Sequence, residues 1–250
     1  MNKTAELFDF SQRLWDSGQR LLAIGRYMAA RRELEAAEQQ AWRRRDAALL
    51  SRIYLPLLET CRQVRQQAAS ALILIADFDE FSKRKFQPLI AFGQGTLICS
   101  GRAALPTCYR VTLFARQKGL SIETMLLQQA NSGPRICSPG APQYSAGLPV
   151  IWSHDFSKLI DPETPEKLIV PLPPPGNYQP GAPGQSLARE SLLLAWEALA
   201  LKHIPANISS TGLWQQMDFL RSLRQIDPAC EPVVLRLMAL AEQISRTNQP

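Results

Sequence analysis

The sequence predicts a mixed α and β protein in which helical regions at both ends flank a small central α/β domain. Near the N-terminus, apolar side chains recur every three or four residues, which is the period of an amphipathic helix. Short continuous apolar runs, beginning at 71–77, are instead typical of strands buried on both faces. The helical period returns after Ser186. The predicted regions are a helical region at 1–70, an α/β domain at 71–170, a Pro/Gly-rich connector at 171–184 and a C-terminal helical region at 185–250.

The first region is predicted to begin with a pair of helices. Gly18 stands inside the first of them, where glycine costs about 1 kcal/mol relative to alanine. A second helix that crosses too closely to leave room for a Cβ would explain a glycine at this position. Gly25 would then supply the turn, and Tyr27 lies at the start of the second apolar stripe.

This pair resembles the tetratricopeptide repeat, a 34-residue helix–turn–helix unit. The residues that match the family pattern are Leu14, Gly18, Leu21, Gly25, Tyr27, Ala30, Leu34 and Ala37. Two positions depart from it, because Ser17 replaces the usual Leu and Trp42 the frequent Pro. The resemblance covers residues 5–68, about a quarter of the chain. It implies a groove that receives a peptide or helix of a partner protein.

A third helix is predicted over residues 47–68, with Pro56 inside it. Because proline lacks an amide hydrogen and crowds the preceding turn, we expect a kink or break near Tyr54 and Leu55.

The central region alternates strand and helix patterns. Strands are predicted at 71–77, 93–100, 120–128, 150–153 and 167–173, and a helix at 105–118 with Gly119 as its C-cap. Strand, helix and strand at these lengths favour right-handed crossovers in a small α/β sheet.

Three further helices are predicted near the C-terminus. The first starts at Ser186 and ends before His203, and the second covers 211–224. Asp227 and Pro228 are predicted to open the last helix as its N-cap and first residue.

Composition indicates a globular chain: 46% of the residues are hydrophobic and 20% are charged. No apolar run is long enough for a membrane helix, and MNKTAELFDF lacks a signal peptide's apolar segment, so we expect a cytoplasmic protein. The five cysteines are scattered, without a C-x-x-C pair, which favours buried reduced thiols. No cofactor is predicted.

Basic residues are concentrated in the N-terminal region, and the net charge is +6. The arginines at 31/32, 43–45 and 62/65 could form a ridge for RNA or for an acidic partner. Glutamates and Asp46 lie among them, which is typical of a solvated, ion-paired helix face. We therefore favour the solvated face over nucleic-acid binding.

Two carboxylates follow the first predicted strand. Asp77 and Asp79 would lie where open α/β sheets place ligands, and two carboxylates there could hold Mg²⁺. Their arrangement resembles the first motif of haloacid dehalogenase-like phosphatases, but Phe81 stands where that family has Thr. His154 and His203 are the only histidines, too few for a histidine-rich metal site. A hydrophilic exit from the strand is the favoured interpretation.

The sequence therefore predicts a helical-repeat protein–protein interaction or scaffold protein rather than an enzyme. Its partner would be another protein, whose peptide or helix lies in the repeat groove, and not a membrane. The predicted groove residues are Leu21, Tyr27, Arg31 and Tyr54. The alternative is a metal-dependent enzyme or a small-molecule-binding α/β domain with its site near Asp77 and Asp79.

Overall fold

The computed structural model describes residues 3–140, 147–153, 168–204 and 211–247, with side chains from Phe10 onwards. Eight helices and seven strands lie in these ranges, so the predicted mixed α and β class is confirmed. The chain forms two compact units. Unit 1 comprises Met1–Gln63, Pro205–Arg224 and Pro228–Pro250, and unit 2 comprises Val64–Ile204 and Gln225–Asp227. Unit 2 is therefore an insertion in the chain of unit 1. The boundaries predicted at 70, 170 and 184 stay predictions.

The helices are α1 (Lys3–Ala23), α2 (Tyr27–Arg43), α3 (Ala47–Ser70), α4 (Lys83–Phe92), α5 (Ala104–Lys118), α6 (Gln185–Leu201), α7 (Leu213–Leu223) and α8 (Glu231–Thr247). The strands are β1 (Leu72–Asp77), β2 (Gln94–Ser100), β3 (Ser121–Ala130), β4 (Gly133–Cys137), β5 (Leu148–Trp152), β6 (Val170–Leu172) and β7 (Asn177–Tyr178).

Helices α1 and α2 cross closely at Gly18, as predicted. A Cβ on Gly18 would lie 2.6 Å from Cγ of Leu34, which is fully buried on α2. Helix α1 continues through Gly18, so the glycine serves packing and does not end the helix. Gly25 has a φ of 74° and forms the turn between the two helices, as predicted.

Helix α3 is continuous through Pro56, so a break near Tyr54 and Leu55 is wrong, whereas the alternative of a kink stays a prediction. Proline deprives the carbonyl four residues earlier, that of Arg52, of its helical donor. The indole N–H of Trp15 on α1 donates to this carbonyl at 3.4 Å. A side chain from the neighbouring helix thus compensates the missing backbone donor.

The seven strands form one sheet in the order β6-β5-β4-β3-β2-β1-β7. The three strands β1, β2 and β3 are parallel and are connected through α4 and α5, whereas β4 and β7 pair antiparallel with their neighbours β3 and β1. The predicted strands in the described ranges are confirmed, although Lys167 lies outside them. Helix α4 and strands β4 and β7 were not predicted.

Part of the predicted connector at 171–184 belongs to the sheet. Pro171 and Leu172 are buried in β6, and Asn177 and Tyr178 form β7. Both strands lie at edges, where a proline interrupts no ladder between two neighbours.

The last helix begins at Glu231, so the prediction that Asp227 and Pro228 open it is wrong. Asp227 is buried in unit 2, where it pairs with Arg65. The Arg65 guanidinium also lies 4.8 Å from the ring centroid of Trp196. A buried arginine needs a counter-charge, and this requirement places Asp227 in the interior rather than at a helix end.

The remaining composition-based predictions concern thiols and membrane helices. All five cysteines are buried, as predicted. None of the described helices combines the length and the apolar character needed to cross a membrane.

Candidate interaction surface

The four predicted groove residues differ in their access to solvent. Leu21 and Tyr27 are partly exposed. Arg31 is only 8% exposed, and its Nε donates to Oε1 of Glu35 at 2.9 Å. Tyr54 is completely buried. The burial of Arg31 and Tyr54 indicates packing roles for both side chains, and the binding role assigned to the four residues stays a prediction.

The two carboxylates of the alternative site lie at the carboxyl end of β1, as expected. Asp77 is exposed and stands opposite Ser100 of β2 in the parallel ladder, where Ser100 Oγ donates to Asp77 Oδ1 at 2.9 Å. Lys85 donates to the backbone carbonyl of Asp77. Gly101 has a φ of 89°, and a Cβ there would lie 2.6 Å from Asp77 Oδ1. Asp79 is exposed in the loop that follows.

These features make a polar end of β1. Among the described residues, no group of three or more His, Cys, Asp or Glu side chains is placed to hold a metal ion. His203 lies just after α6, where burial, and then the neighbouring charge of Lys202, lower the pKa of its imidazole. His154 lies outside the described residues.

A more extensive polar constellation lies in unit 1, around Glu38 of α2. This carboxylate is 5% exposed and accepts hydrogen bonds from Arg221 of α7 through both oxygens, at 2.9 and 3.2 Å. Arg224, just after α7, donates to Oε1 at 3.4 Å. Two guanidiniums on one buried carboxylate leave a local excess of positive charge.

The hydroxyl of Tyr54 is buried beside this ion cluster. Arg224 lies 5.8 Å from the centroid of the Tyr54 ring. Burial is the main cause that raises the pKa of the Tyr54 phenol, and the charge of Glu38 raises it further. In the part of the chain that the structure describes, the Tyr54 hydroxyl has no hydrogen-bond partner.

The outer part of the same constellation is aromatic and basic. The rings of Trp42 and Trp214 meet edge to face, with centroids 5.6 Å apart. The guanidinium of Arg45 lies 4.6 Å from the Trp214 centroid and 5.6 Å from that of Trp42. Arg221 lies 4.6 Å from the Trp42 centroid, and Asp218 lies 3.8 Å from Arg45. We call these five residues the tryptophan–arginine patch.

The patch is both accessible and held in place. Both indoles are partly exposed, and about half of the Arg45 side chain is open to solvent. Arg221 is anchored by Glu38 beneath it. Arg45 has a φ of 53°, the single positive φ outside glycine in the described residues. Its backbone sits at the C-terminal end of α2, where a left-handed residue is usually glycine.

Two regular spacings in the sequence are a signal for this surface. The prediction of the binding residues did not include them. Residues 38, 42 and 45 follow one another at i, i+4 and i+7, as do 214, 218 and 221. The second set lies on one face of α7, whereas Arg45 lies two residues beyond the end of α2, where its left-handed backbone leaves the helix. What the sequence does not provide is the pairing of α2 with α7, which are separated by more than 160 residues.

Two other members of the predicted basic ridge have acidic partners. Arg62 pairs with Glu231 at 2.8 Å in unit 1. Arg65 is buried with Asp227 in unit 2. The pairing of the partly exposed Arg62 agrees with the favoured interpretation of the ridge as a solvated, ion-paired face. Arg65 does not fit that interpretation because it is buried, and Arg45 is half exposed and stacked on indoles.

Comparison with known proteins adds no identification, since no family model, curated protein or solved structure matches the chain.

Proposed function

We propose that the protein is a helical interaction or scaffold protein that binds another protein through the tryptophan–arginine patch of unit 1. The observation that carries the proposal is a pair of partly exposed indoles with an exposed guanidinium stacked over both. Tryptophan and arginine are the residues most enriched among those that dominate the energy of protein interfaces.

The rigidity of the patch supports the same proposal. Ordering a long side chain on binding costs about 0.5–1.5 kcal/mol, and a side chain that is already ordered avoids this cost. Arg221 is held by two hydrogen bonds to Glu38, and Arg45 is stacked on two rings. The resemblance of residues 5–68 to a tetratricopeptide repeat and a cytoplasmic location remain parts of the proposal.

Affinity purification from the native cells tests this function. The tagged wild-type chain and the variants Arg45→Glu and Arg52→Glu would be compared at moderate salt, with mass spectrometry of the bound proteins. Arg52 is the matched control because it is also exposed and lies 4.1 Å from the ring centroid of Trp15. We expect a protein that binds the wild type and Arg52→Glu and is lost with Arg45→Glu, and that binds again when both purified proteins are mixed. Equal binding to all three chains would contradict the assignment.

The strand end at Asp77 supports a second candidate, a small-molecule or metal site in unit 2. The favouring observation is that parallel pairing brings Asp77 and Ser100 together at the carboxyl edge of the sheet, beside Gly101, where a Cβ would overlap Asp77 Oδ1. If this site binds Mg²⁺, millimolar Mg²⁺ should raise the melting temperature of the wild type and not that of Asp77→Asn. Equal shifts, or none, would exclude a magnesium role for Asp77.

A further inference from the structure

We propose that the tryptophan–arginine patch recognises an acidic segment of its partner protein, in which a carboxylate and an apolar side chain lie side by side on one face. This inference rests on the proposed function and adds the chemistry of the partner. Its basis is the combination of charge and apolar surface at one accessible place on unit 1.

The charge of unit 1 favours an anionic partner. Its sequence holds fifteen Lys and Arg against eleven Asp and Glu. Within the patch and the ion cluster beneath it, three guanidiniums (Arg45, Arg221 and Arg224) face two carboxylates (Glu38 and Asp218). Three consecutive arginines, 43 to 45, also end α2. The excess of positive charge remains after the ion pairs of Arg45 with Asp218 and of Arg221 and Arg224 with Glu38 are counted.

The carboxylate of Asp218 does not neutralise Arg45 fully. The two groups are 3.8 Å apart and each side chain is about half exposed, so water and salt weaken their attraction. Glu38 is inaccessible because it is buried under Arg221 and Arg224. A carboxylate from a partner can therefore approach Arg45 from the solvent side, since a guanidinium presents five N–H donors in a fixed fork.

The indoles account for the apolar half of the proposed ligand. Trp42 and Trp214 expose parts of their rings next to the guanidinium, so an aliphatic or aromatic side chain can pack on them while a neighbouring carboxylate reaches Arg45. Burying apolar area on the rings would contribute about 25 cal/mol per Å². An extended segment places residues i and i+2 on the same side, so an acidic residue followed two positions later by an apolar one suits this surface.

The backbone at Arg45 is an independent sign of function. A left-handed conformation costs roughly 1–2 kcal/mol for a residue with a Cβ, and glycine would avoid this cost. Strained positions of this kind concentrate at binding sites, where the side chain is what is needed. Here the side chain is the guanidinium stacked over both indoles.

Fluorescence anisotropy with defined peptides tests the inference. The probe is a fluorescein-labelled dodecapeptide that repeats Glu-Glu-Leu-Leu, which places Glu and Leu side by side on each face of an extended chain, and its control replaces every Glu with Gln. We expect the acidic peptide to bind the full-length protein at least tenfold more tightly than the Gln peptide. Raising the salt from 50 to 300 mM should weaken binding of the acidic peptide alone, because salt screens the charge attraction.

Matched variants locate the binding. Arg45→Gln should weaken binding of the acidic peptide at least fivefold, and Arg52→Gln should leave it unchanged. Arg45→Gly serves as the second variant, since it removes the guanidinium and relieves the backbone at once, and it should weaken binding equally. Melting curves show whether each variant is folded.

Several outcomes would overturn the acidic-segment proposal. The first is equal affinity for the Glu and Gln peptides. The second is an equal loss of affinity for the acidic peptide in the Arg45 and Arg52 variants. The third is that Arg45 binds a single-stranded RNA 12-mer in preference to the peptide. A concentration-dependent dimer that Arg45→Gln abolishes would make a second copy of this chain the occupant. If neither peptide binds while Arg45 is still needed to capture a cellular partner, the proposal of an acidic segment is wrong and the proposed function stands. If Arg45 is dispensable in both experiments, both the acidic-segment proposal and the proposed function are wrong.

Discussion

Arg45 combines an unfavourable backbone with a stacked side chain, so stability and binding place opposite demands on it. Its φ of 53° favours glycine, whereas its guanidinium lies over both Trp42 and Trp214. Positions at which function opposes stability are common in binding sites.

We therefore predict that Arg45→Gly is more stable than Arg45→Gln by about 1 kcal/mol, because only glycine relieves the left-handed conformation. Both variants should lose affinity for the acidic peptide to the same extent. Urea unfolding of the two variants measures the first effect. Equal stability of the two would show that the backbone at this position carries no strain.

The burial of Tyr54 leads to a second prediction, which concerns how the stability of the protein depends on pH. Burial, assisted by the charge of Glu38, raises the pKa of the Tyr54 phenol above its ordinary value of 10.0. The unfolded chain then loses this proton at lower pH than the folded chain. The contribution of Tyr54 to stability is therefore complete below pH 10 and falls as the pH rises further, by up to about 1.4 kcal/mol per pH unit.

Tyr54→Phe should remove this alkaline loss. At pH 8 the variant should be at least as stable as the wild type, because the phenol lacks a hydrogen-bond partner among the described residues. Urea unfolding between pH 8 and pH 11 should show the stability advantage of the variant growing above pH 10. Parallel pH curves for the two proteins would contradict the account.

At the scale of elements, the crossing of α1 and α2 depends on one missing side chain. Gly18→Ala would bring a methyl group within 2.6 Å of Leu34 Cγ. Overpacking costs about 1–3 kcal/mol, against a gain in helix propensity of about 1 kcal/mol. We predict a net destabilisation of about 1 kcal/mol.

A double-mutant cycle separates these two effects. Leu34→Ala alone should cost about 2–5 kcal/mol, because a fully buried leucine is lost. In that background Gly18→Ala should become stabilising, since the methyl group now has room and alanine favours the helix. Additive effects in urea unfolding would mean that the two residues do not contact each other.

In unit 2, the contact of α4 with β2 also depends on a missing side chain, that of Gly95. A Cβ on Gly95 would overlap both the carbonyl oxygen of Leu72 in β1 and Cδ2 of Leu89 in α4. The backbone of β1 cannot give way as a flexible side chain can. Gly95→Ala should therefore be at least about 2 kcal/mol more destabilising than Gly119→Ala. Gly119 also has a positive φ, of 68°, but nothing lies within 4 Å of its Cβ position. A cost at Gly95 no greater than at Gly119, measured by thermal unfolding, would refute this packing.

At the scale of the whole molecule, local patterns predicted much of the fold but not its long-range pairings. The apolar run at β1 and the glycine at position 18 carry their information within a few residues, and both predictions are confirmed. Asp227 resembles an N-cap locally, and only the distant Arg65 explains why it is buried instead. Helix α4 was missed because its sequence, KRKFQPLIAF, begins with three charges and contains a proline.

The candidate surface could likewise be predicted only in part from the sequence, because it depends on local spacings and on one contact between distant segments. Each half has a helical spacing that is visible in the sequence, at 38, 42 and 45 and at 214, 218 and 221. The contact between Trp42 and Trp214 joins segments on either side of the inserted unit 2. No periodicity encodes that contact, so the tryptophan–arginine patch emerges only from the structure.

Site-specific photo-crosslinking in the native cells is the most direct test of the claim that this patch binds a protein. A photoreactive phenylalanine derivative would replace exposed Gln215, next to Trp214, and in a control chain exposed Gln243 on α8. We expect a discrete crosslinked protein from position 215, absent from position 243 and abolished when Arg45→Glu is added. Identical products from both positions, or a product from 215 that persists with Arg45→Glu, would contradict it.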